Sequence, residues 1–282
     1  MKTPKRLQPL LEDGVIDAVI GQLMSGKEAT VYTVRCGTEI RCAKVYKEAA
    51  KRNFKKASQY REGRGVRNSR RARAMDKGSK YGRQQQEESW QNAEVDALYK
   101  LANAGVRVPI PYGCFDGVLL MELVVDERGQ VAPRLSEVSM TAEQALEDHA
   151  LIMHYVVLML CAGLVHGDLS EFNVLVDDYG PVIIDLPQAV DAAANNHAAA
   201  MLRRDIENMT QYYALFAPQL LETRYAEEIW HIYKEGKLTP DTPLSGEFQD
   251  AEESSDVDGV LAEIQAVLKE EEWRQARQAE DL

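Results

Sequence analysis

Three polar residues late in the chain set the chemistry available to it: Asp168, Asn173 five positions on, and Asp185 twelve beyond that. They punctuate two apolar runs, Leu164-Val165-His166-Gly167-Asp168-Leu169-Ser170-Glu171-Phe172-Asn173-Val174-Leu175-Val176 and Pro181-Val182-Ile183-Ile184-Asp185. In phosphoryl transfer one carboxylate orients a hydroxyl, while an amide oxygen and a second carboxylate hold Mg²⁺ on the phosphates of ATP, and this spacing suits those tasks. Hard oxygen donors fit that ion. Taken singly, each residue reads equally well as a turn cap or a loop residue. The combination, set between strand-like runs, points to phosphotransfer.

Such a site needs a cation for the phosphates and elements to carry it. Ile20 to Val34 and Ile40 to Tyr46 read as strand, turn, strand, turn, strand. Backbone amides in the first turn, Ser25-Gly26-Lys27-Glu28-Ala29, can lie over phosphates, and Lys44 on the third strand can reach the α- and β-phosphates. Gly26 is the only glycine from Ser25 to Val31, so G-x-G-x-x-G is absent and the Ser25 and Lys27 side chains must compensate. A polar hairpin turn explains this loop as readily when it is taken alone.

A helical pattern runs from Glu87 to Ala102, with Trp90, Ala93, Ala97, Leu98 and Leu101 on one face. Glu94 within it can pair with Lys44, in competition with Glu87, Glu88 and Asp96. Val108-Pro109-Ile110-Pro111 with Gly113 reads as a stiff connector. Val118 to Val124 reads as a buried strand entering a hinge whose backbone can bind an adenine edge. Thr141-Ala142-Glu143-Gln144 is a capping box that opens a strongly apolar helix ending at Gly163, directly before the catalytic loop. His149 and His154 read as core or surface histidines, because no carboxylate or cysteine stands near them at metal spacing. On the helix through Leu202 to Asn208, Asp205 is a candidate brace for the catalytic loop or an ordinary surface acid.

The 282 residues, 45% hydrophobic and 28% charged, describe a soluble globular protein of one or two domains. No run approaches the ~18 apolar residues of a membrane span, and Met1-Lys2-Thr3-Pro4-Lys5-Arg6 lacks the apolar core of a signal peptide. Cys36, Cys42, Cys114 and Cys161 show no metal spacing and read as reduced thiols in a cytoplasmic protein. The net charge of −12 is unevenly placed: residues 51–83 carry 13 Lys/Arg against two acids, whereas residues 247–282 carry 12 acids against three basic residues. The basic stretch, interleaved with Tyr60 and Tyr81, suits an anionic partner such as RNA, or a solvated face.

Together these stretches resemble the RIO family of atypical serine/threonine protein kinases, closest to its type-one branch. The likeness is carried by Ser25-Gly26-Lys27-Glu28-Ala29, Ala43-Lys44-Val45-Tyr46, Trp90 ahead of Glu94, Leu120-Met121-Glu122, Ala132-Pro133-Arg134-Leu135, the His166 to Leu175 block, Ile183-Ile184-Asp185-Leu186-Pro187-Gln188 and Arg204-Asp205-Ile206-Glu207-Asn208. It implies an α+β, two-lobed protein-kinase-like fold whose reduced C-lobe lacks the activation segment and peptide platform, since Leu-Pro follows Asp185 in place of Phe-Gly. It further implies Asp168 as the catalytic aspartate, Asn173 and Asp185 as metal ligands, Lys44 as the ATP anchor and Asp185 as a transient phosphate acceptor. The ATP-binding set expected on this basis is Ser25, Gly26, Lys27, Glu28, Ala29, Val31, Lys44, Glu94, Met121, Glu122, Leu123, Val124, Leu175 and Ile184. ATP and Mg²⁺ are the expected ligands, with Mn²⁺ as a substitute.

The expected organisation is an N-terminal helical extension over 1–19, an N-lobe over 20–124 containing a basic flexible loop at 51–83, a C-lobe over 125–238, and an acidic linker with a terminal helix over 239–282. The first functional expectation is transfer of the γ-phosphate of Mg-ATP to Ser/Thr hydroxyls, including the chain's own. The alternative is an ATPase switch that binds RNA or a ribosomal small-subunit particle through the basic loop, by way of a phospho-aspartate at Asp185. A small-molecule kinase of the aminoglycoside or choline type shares the His-x-Asp and Asn spacing, but the Ser-Gly-Lys-Glu-Ala loop and the basic insertion speak against it.

Overall fold

The computed structural model describes residues 3–26, 28–47 and 93–249. Lys27, Glu87, Glu88, Trp90, the basic segment 51–83 and the terminal helix expected around Val260 to Leu268 lie outside the described residues.

The first half builds one antiparallel sheet in the order β1-β2-β3-β5-β4, from β1 (Ala18–Ser25), β2 (Ala29–Cys36), β3 (Glu39–Tyr46), β4 (Pro111–Phe115) and β5 (Val118–Glu122). The β2–β3 hairpin closes through Gly37 at φ 61°, a conformation open to glycine, and the Gly37 N–H donates to Asp17 Oδ2 at 2.6 Å. This two-residue turn sets the register that pairs Val31 with Lys44. Helix α1 is short (Gln8–Glu12), and Leu7, Leu10 and Ile16 around it plug the outer face of the sheet against Val34, Ala43, Val118 and Leu120. Val19, read as part of the N-terminal helical pattern, lies in β1, which begins two residues before the expected lobe boundary. The expected connector around Pro111 is instead an edge strand with proline as its first residue, a place where a missing N–H costs no ladder bond.

Helix α2 occupies residues 93–103 and stops at Gly105, φ 85°. Its buried face, Ala97, Leu98 and Leu101, belongs to the same core as the C-lobe. That lobe centres on helix α3 (Ala142–Cys161), whose N-terminus carries the expected box: Thr141 accepts from the Gln144 N–H at 3.2 Å, and the Gln144 side chain reaches back to the Thr141 N–H. Gly163 at φ 73° ends it. The chain then enters β6 (Leu164–Val165), the catalytic-type loop, the β7–β8 hairpin (Val174–Asp177 and Gly180–Ile183) and β9 (Val190–Asp191), which pairs back onto β6. Twelve residues, β9 among them, separate Asp185 from helix α4 (Ala198–Tyr213), a short link of the kind expected of a C-lobe without an activation segment.

Two further findings depart from the sequence pattern. Helix α5 (Tyr225–Lys234) continues through Ile229, where the pattern fades. Residues 239–249, expected as the start of a linker, are fastened to α5. Buried Glu228 accepts from the Ser245 N–H, the Ser245 hydroxyl and the Gly246 N–H, each at 2.8 Å, while Arg224 donates to the Phe248 carbonyl at 3.0 Å. A buried carboxylate with three donors outweighs the polar composition of the segment.

Candidate active site

The site forms where β3 faces the loops that follow β6 and β8. Lys44 is buried because β3 is the central strand of the sheet, and its ammonium lies 2.6 Å from Glu94 Oε1 and 2.7 Å from Asp185 Oδ1. Burial works against that charge, but the attraction of Asp185 and Glu94 outweighs it and lifts the Lys44 pKa above that of an ordinary lysine. The same ammonium holds the Asp185 carboxyl below the usual carboxylate range against the effect of burial. Of the four acids that could have paired with Lys44, the structure brings in Glu94. Asp96 is exposed two positions along the helix, and Glu87 and Glu88 lie outside the described residues.

Glu94 has a second partner, to which the sequence reading assigns no role. The buried Tyr46 hydroxyl donates to Glu94 Oε2 at 2.5 Å, and the Tyr46 ring lies 5.7 Å from the Lys44 ammonium. Alternation along β3 turns residues 44 and 46 to one side of the sheet, which is the signal that points to Tyr46.

The catalytic-type loop is fastened from beneath. Fully buried Asp205 on α4 accepts from the Gly167 N–H at 2.7 Å and the Leu169 N–H at 3.0 Å, as expected of a brace. Burial pushes its pKa up to about 7, with the two N–H donors pulling the other way. Arg204 donates to the Gly167 carbonyl and Asn208 to the Leu169 carbonyl. His166 is buried, accepts from the Asp168 N–H at Nδ1 (3.2 Å) and meets the Ile184 carbonyl at Nε2 (3.1 Å). That pair of contacts requires the neutral tautomer with its proton on Nε2, in keeping with a pKa lowered chiefly by burial.

Asn173 and Asp185 sit side by side because the Ile184 N–H donates to the Asn173 carbonyl at 2.9 Å. The Asn173 side-chain nitrogen donates to the Asp168 carbonyl at 2.8 Å, which leaves its amide oxygen as the group to offer a cation. Asp185 takes a left-handed backbone, φ 68°, with a half-exposed side chain. Among the described residues no cluster of three or more His, Cys, Asp or Glu forms a metal cage. One carboxylate beside one amide oxygen is the donor set expected of Mg²⁺ that completes its shell with water and phosphate oxygens, so these residues fit the ion.

The rest of the expected nucleotide set surrounds this centre. The first turn is closed by the Gly26 N–H to Ala29 carbonyl bond (2.9 Å), and Lys47, which the motif does not include, ties it down by donating to Ser25 Oγ (3.2 Å) and the Gly26 carbonyl (2.5 Å). Glu28 takes part through its carbonyl, which accepts from the Lys47 N–H at 2.8 Å. Val31 lies opposite Lys44 in the ladder, and Met121 opposite Cys42. Glu122 is fixed at the hinge by its backbone bond to Ile110 (2.8 Å) and by accepting the Ile110 N–H at its side chain (3.1 Å). Beyond Leu123, Val124 packs with Ala132, Val182 and Leu175 as a small apolar floor. Ile184 stands next to Asp185 with its N–H on the Asn173 carbonyl, and Lys27 is outside the described residues.

A five-stranded antiparallel lobe, a helical lobe and a lysine held between a helix carboxylate and a loop carboxylate define the protein-kinase-like class of fold. Within it the chain belongs to the RIO domain family, whose domain matches residues 30–226. It is 38% identical over 207 residues to the RIO-type serine/threonine-protein kinase Rio1 of Haloferax volcanii, covering 72% of this chain and 66% of that one. It is 32% identical to the protein of the same name from Methanocaldococcus jannaschii, covering 75% and 68%, and 29% identical to human serine/threonine-protein kinase RIO1, covering 79% and 38%. The chain thus spans well under half the length of the human relative. Its fold matches the Rio2 kinase of Chaetomium thermophilum solved as an ADP/Mg²⁺-phosphoaspartate complex, with TM-score 0.55, 18% identity and coverage of 97% of this chain and 81% of that one.

Proposed function

We propose that the chain is an atypical serine/threonine protein kinase that transfers the γ-phosphate of Mg-ATP to Ser/Thr hydroxyls, its own included. The observation that carries this reading is the convergence of Lys44 from β3, Glu94 from α2 and Asp185 from the loop after β8, joined through Ile184 and Asn173 to the loop bearing Asp168. Lys44, held by Glu94, binds the α- and β-phosphates. Asn173 and Asp185 would hold Mg²⁺, which when bound would neutralise charge on the phosphates. Asp168 orients the acceptor hydroxyl and takes its proton as the oxygen attacks the γ-phosphorus, and ADP leaves with the bridging oxygen. Backbone and side chains from Met121 to Val124, with Leu175, hold the adenine. The kinase names of the family relatives support this reading.

A second reading is favoured by the half-exposed Asp185 on its left-handed backbone: the γ-phosphate passes to Asp185 and then to water, and the cycle drives release of RNA or a ribosomal particle bound through residues 51–83. We further propose a cytoplasmic location, which the reading of Cys36, Cys42, Cys114 and Cys161 as reduced thiols supports.

Incubation with γ-labelled ATP and Mg²⁺ separates the two. Acid-stable label on protein is expected for transfer to hydroxyls, whereas free phosphate with label lost under mild base indicates Asp185. Asp168→Ala is expected to lower turnover by about 100-fold or more while leaving ADP affinity nearly unchanged. Retained turnover in that variant refutes the assignment.

A further inference from the structure

The segment after Asp185 does more than return the chain to β9. Leu186 and Ala189 are buried, and the Ala189 N–H donates to the Leu186 carbonyl at 3.0 Å, closing a four-residue turn with Pro187 at its second position. Proline fixes the backbone there, so the residue at the third position, Gln188, projects in a set direction. That direction is back across the site: Gln188 Nε2 donates to Asp168 Oδ2 at 3.1 Å. The amide must present its nitrogen, because an amide oxygen facing a carboxylate oxygen would be repelled.

Several further ties between this segment and the catalytic-type loop hold backbone or His166. β6 pairs with β9, the Ile184 N–H reaches the Asn173 carbonyl, and His166 reaches the Ile184 carbonyl. Gln188 reaches the Asp168 carboxylate itself. A carboxylate rotates readily about its terminal torsion, which is broad and two-fold, and a donor fixed on a proline turn removes that freedom.

We propose that Gln188 is a positioning residue for Asp168, holding the orientation in which the carboxylate receives the proton of the attacking hydroxyl or water. The assignment rests on the phosphotransfer reading above and deepens it. The turn comes directly after a metal-type ligand, so the acid-base group and the cation site are tuned by two residues three positions apart in one rigid bend. Since the donor belongs to the fold, the base is oriented before substrate arrives.

The test compares wild type with Gln188→Met, which keeps length and bulk without the donor, and Gln188→Glu, which sets a second carboxylate against the first. Each is assayed for Mg-ATP turnover, for KM, for ADP affinity and for thermal midpoint. The expected result for Gln188→Met is kcat lower by about 10- to 100-fold with KM, ADP affinity and midpoint nearly unchanged, with a larger loss for Gln188→Glu. Combining Gln188→Met with Asp168→Ala is expected to add no further loss, because the tie acts only through that carboxylate. Unchanged kcat in both single variants, or an equal loss with and without Asp168, overturns the inference. Absence of any turnover in the wild type would instead sink the phosphotransfer reading, and the two failures are therefore distinguishable.

Discussion

Glu94 accepts from two donors, and the sequence displays one of them. Lys44 is legible because a lysine on a third strand, ahead of an acid on a following helix, is a spacing that phosphate chemistry requires. Tyr46 is legible only as far as strand alternation sets it on the side of Lys44; that its hydroxyl meets Glu94 depends on the rotation of α2. The same holds for Gln188 and Lys47, whose roles arise only once distant loops meet. Asp168, Asn173 and Asp185 were legible because their spacing is local and the strands between them are short. Tyr46→Phe leaves Glu94 with a single charged partner in a buried place. It is expected to lower unfolding free energy by about 1–3 kcal/mol and to raise KM for ATP, measured by denaturant titration and steady-state kinetics. An unaltered KM would show that Lys44 alone holds the carboxylate in place.

Elements were legible where periodicity was strong and hidden where proline or polar residues dominated. The capping box of α3, the β2–β3 hairpin and the buried β5 follow from pattern; β4 hides behind its proline, and the fastening of residues 239–249 hides behind their polar composition. Between the lobes, the arm that leads into β4 is moored to the β7–β8 hairpin. The Ile183 N–H donates to the Arg107 carbonyl at 2.8 Å, and the Arg107 guanidinium lies 2.5 Å from Asp177, whose side chain is 2% exposed. Arg107→Ala removes the cation and leaves a buried carboxylate supported by the Tyr179 N–H at 2.9 Å. The expected cost is about 2–4 kcal/mol, read by urea unfolding, and Asp177→Asn should cost less because no buried charge is stranded. Equal costs for the two variants would mean that the ion pair matters as packing.

For the whole molecule, the telling feature is the distribution of buried titratable groups. His149 lies in the C-lobe core, 3.0 Å from the Thr210 hydroxyl and edge-on to Tyr213, and burial pushes its pKa down to about 4. The unfolded chain therefore binds a proton there between about pH 6.5 and 4 that the folded chain refuses, and folding loses free energy as the solution is acidified through that window. Asp205, raised to about 7, runs the other way over much of the same range. His149→Gln isolates the first effect. The stability advantage of wild type over this variant should shrink by about 2 kcal/mol between pH 7 and pH 4.5, measured by urea unfolding at both values. A constant difference would show that the imidazole takes up its proton equally readily in the folded and the unfolded chain.

The largest hydrophobic core does not respect the division into lobes. Ala29, Tyr46, Ala97, Leu98, Leu101 and Leu119 from the sheet side share one packed cluster with Ile152, Val156, Leu160 and Leu169 from the helical side. Close-packed interiors resist shear, so neither half is an excisable unit, and a cut between them would strip both of their lining. Nucleotide is therefore expected to enter by bending of the hinge and the cleft rim and not by parting of this shared core.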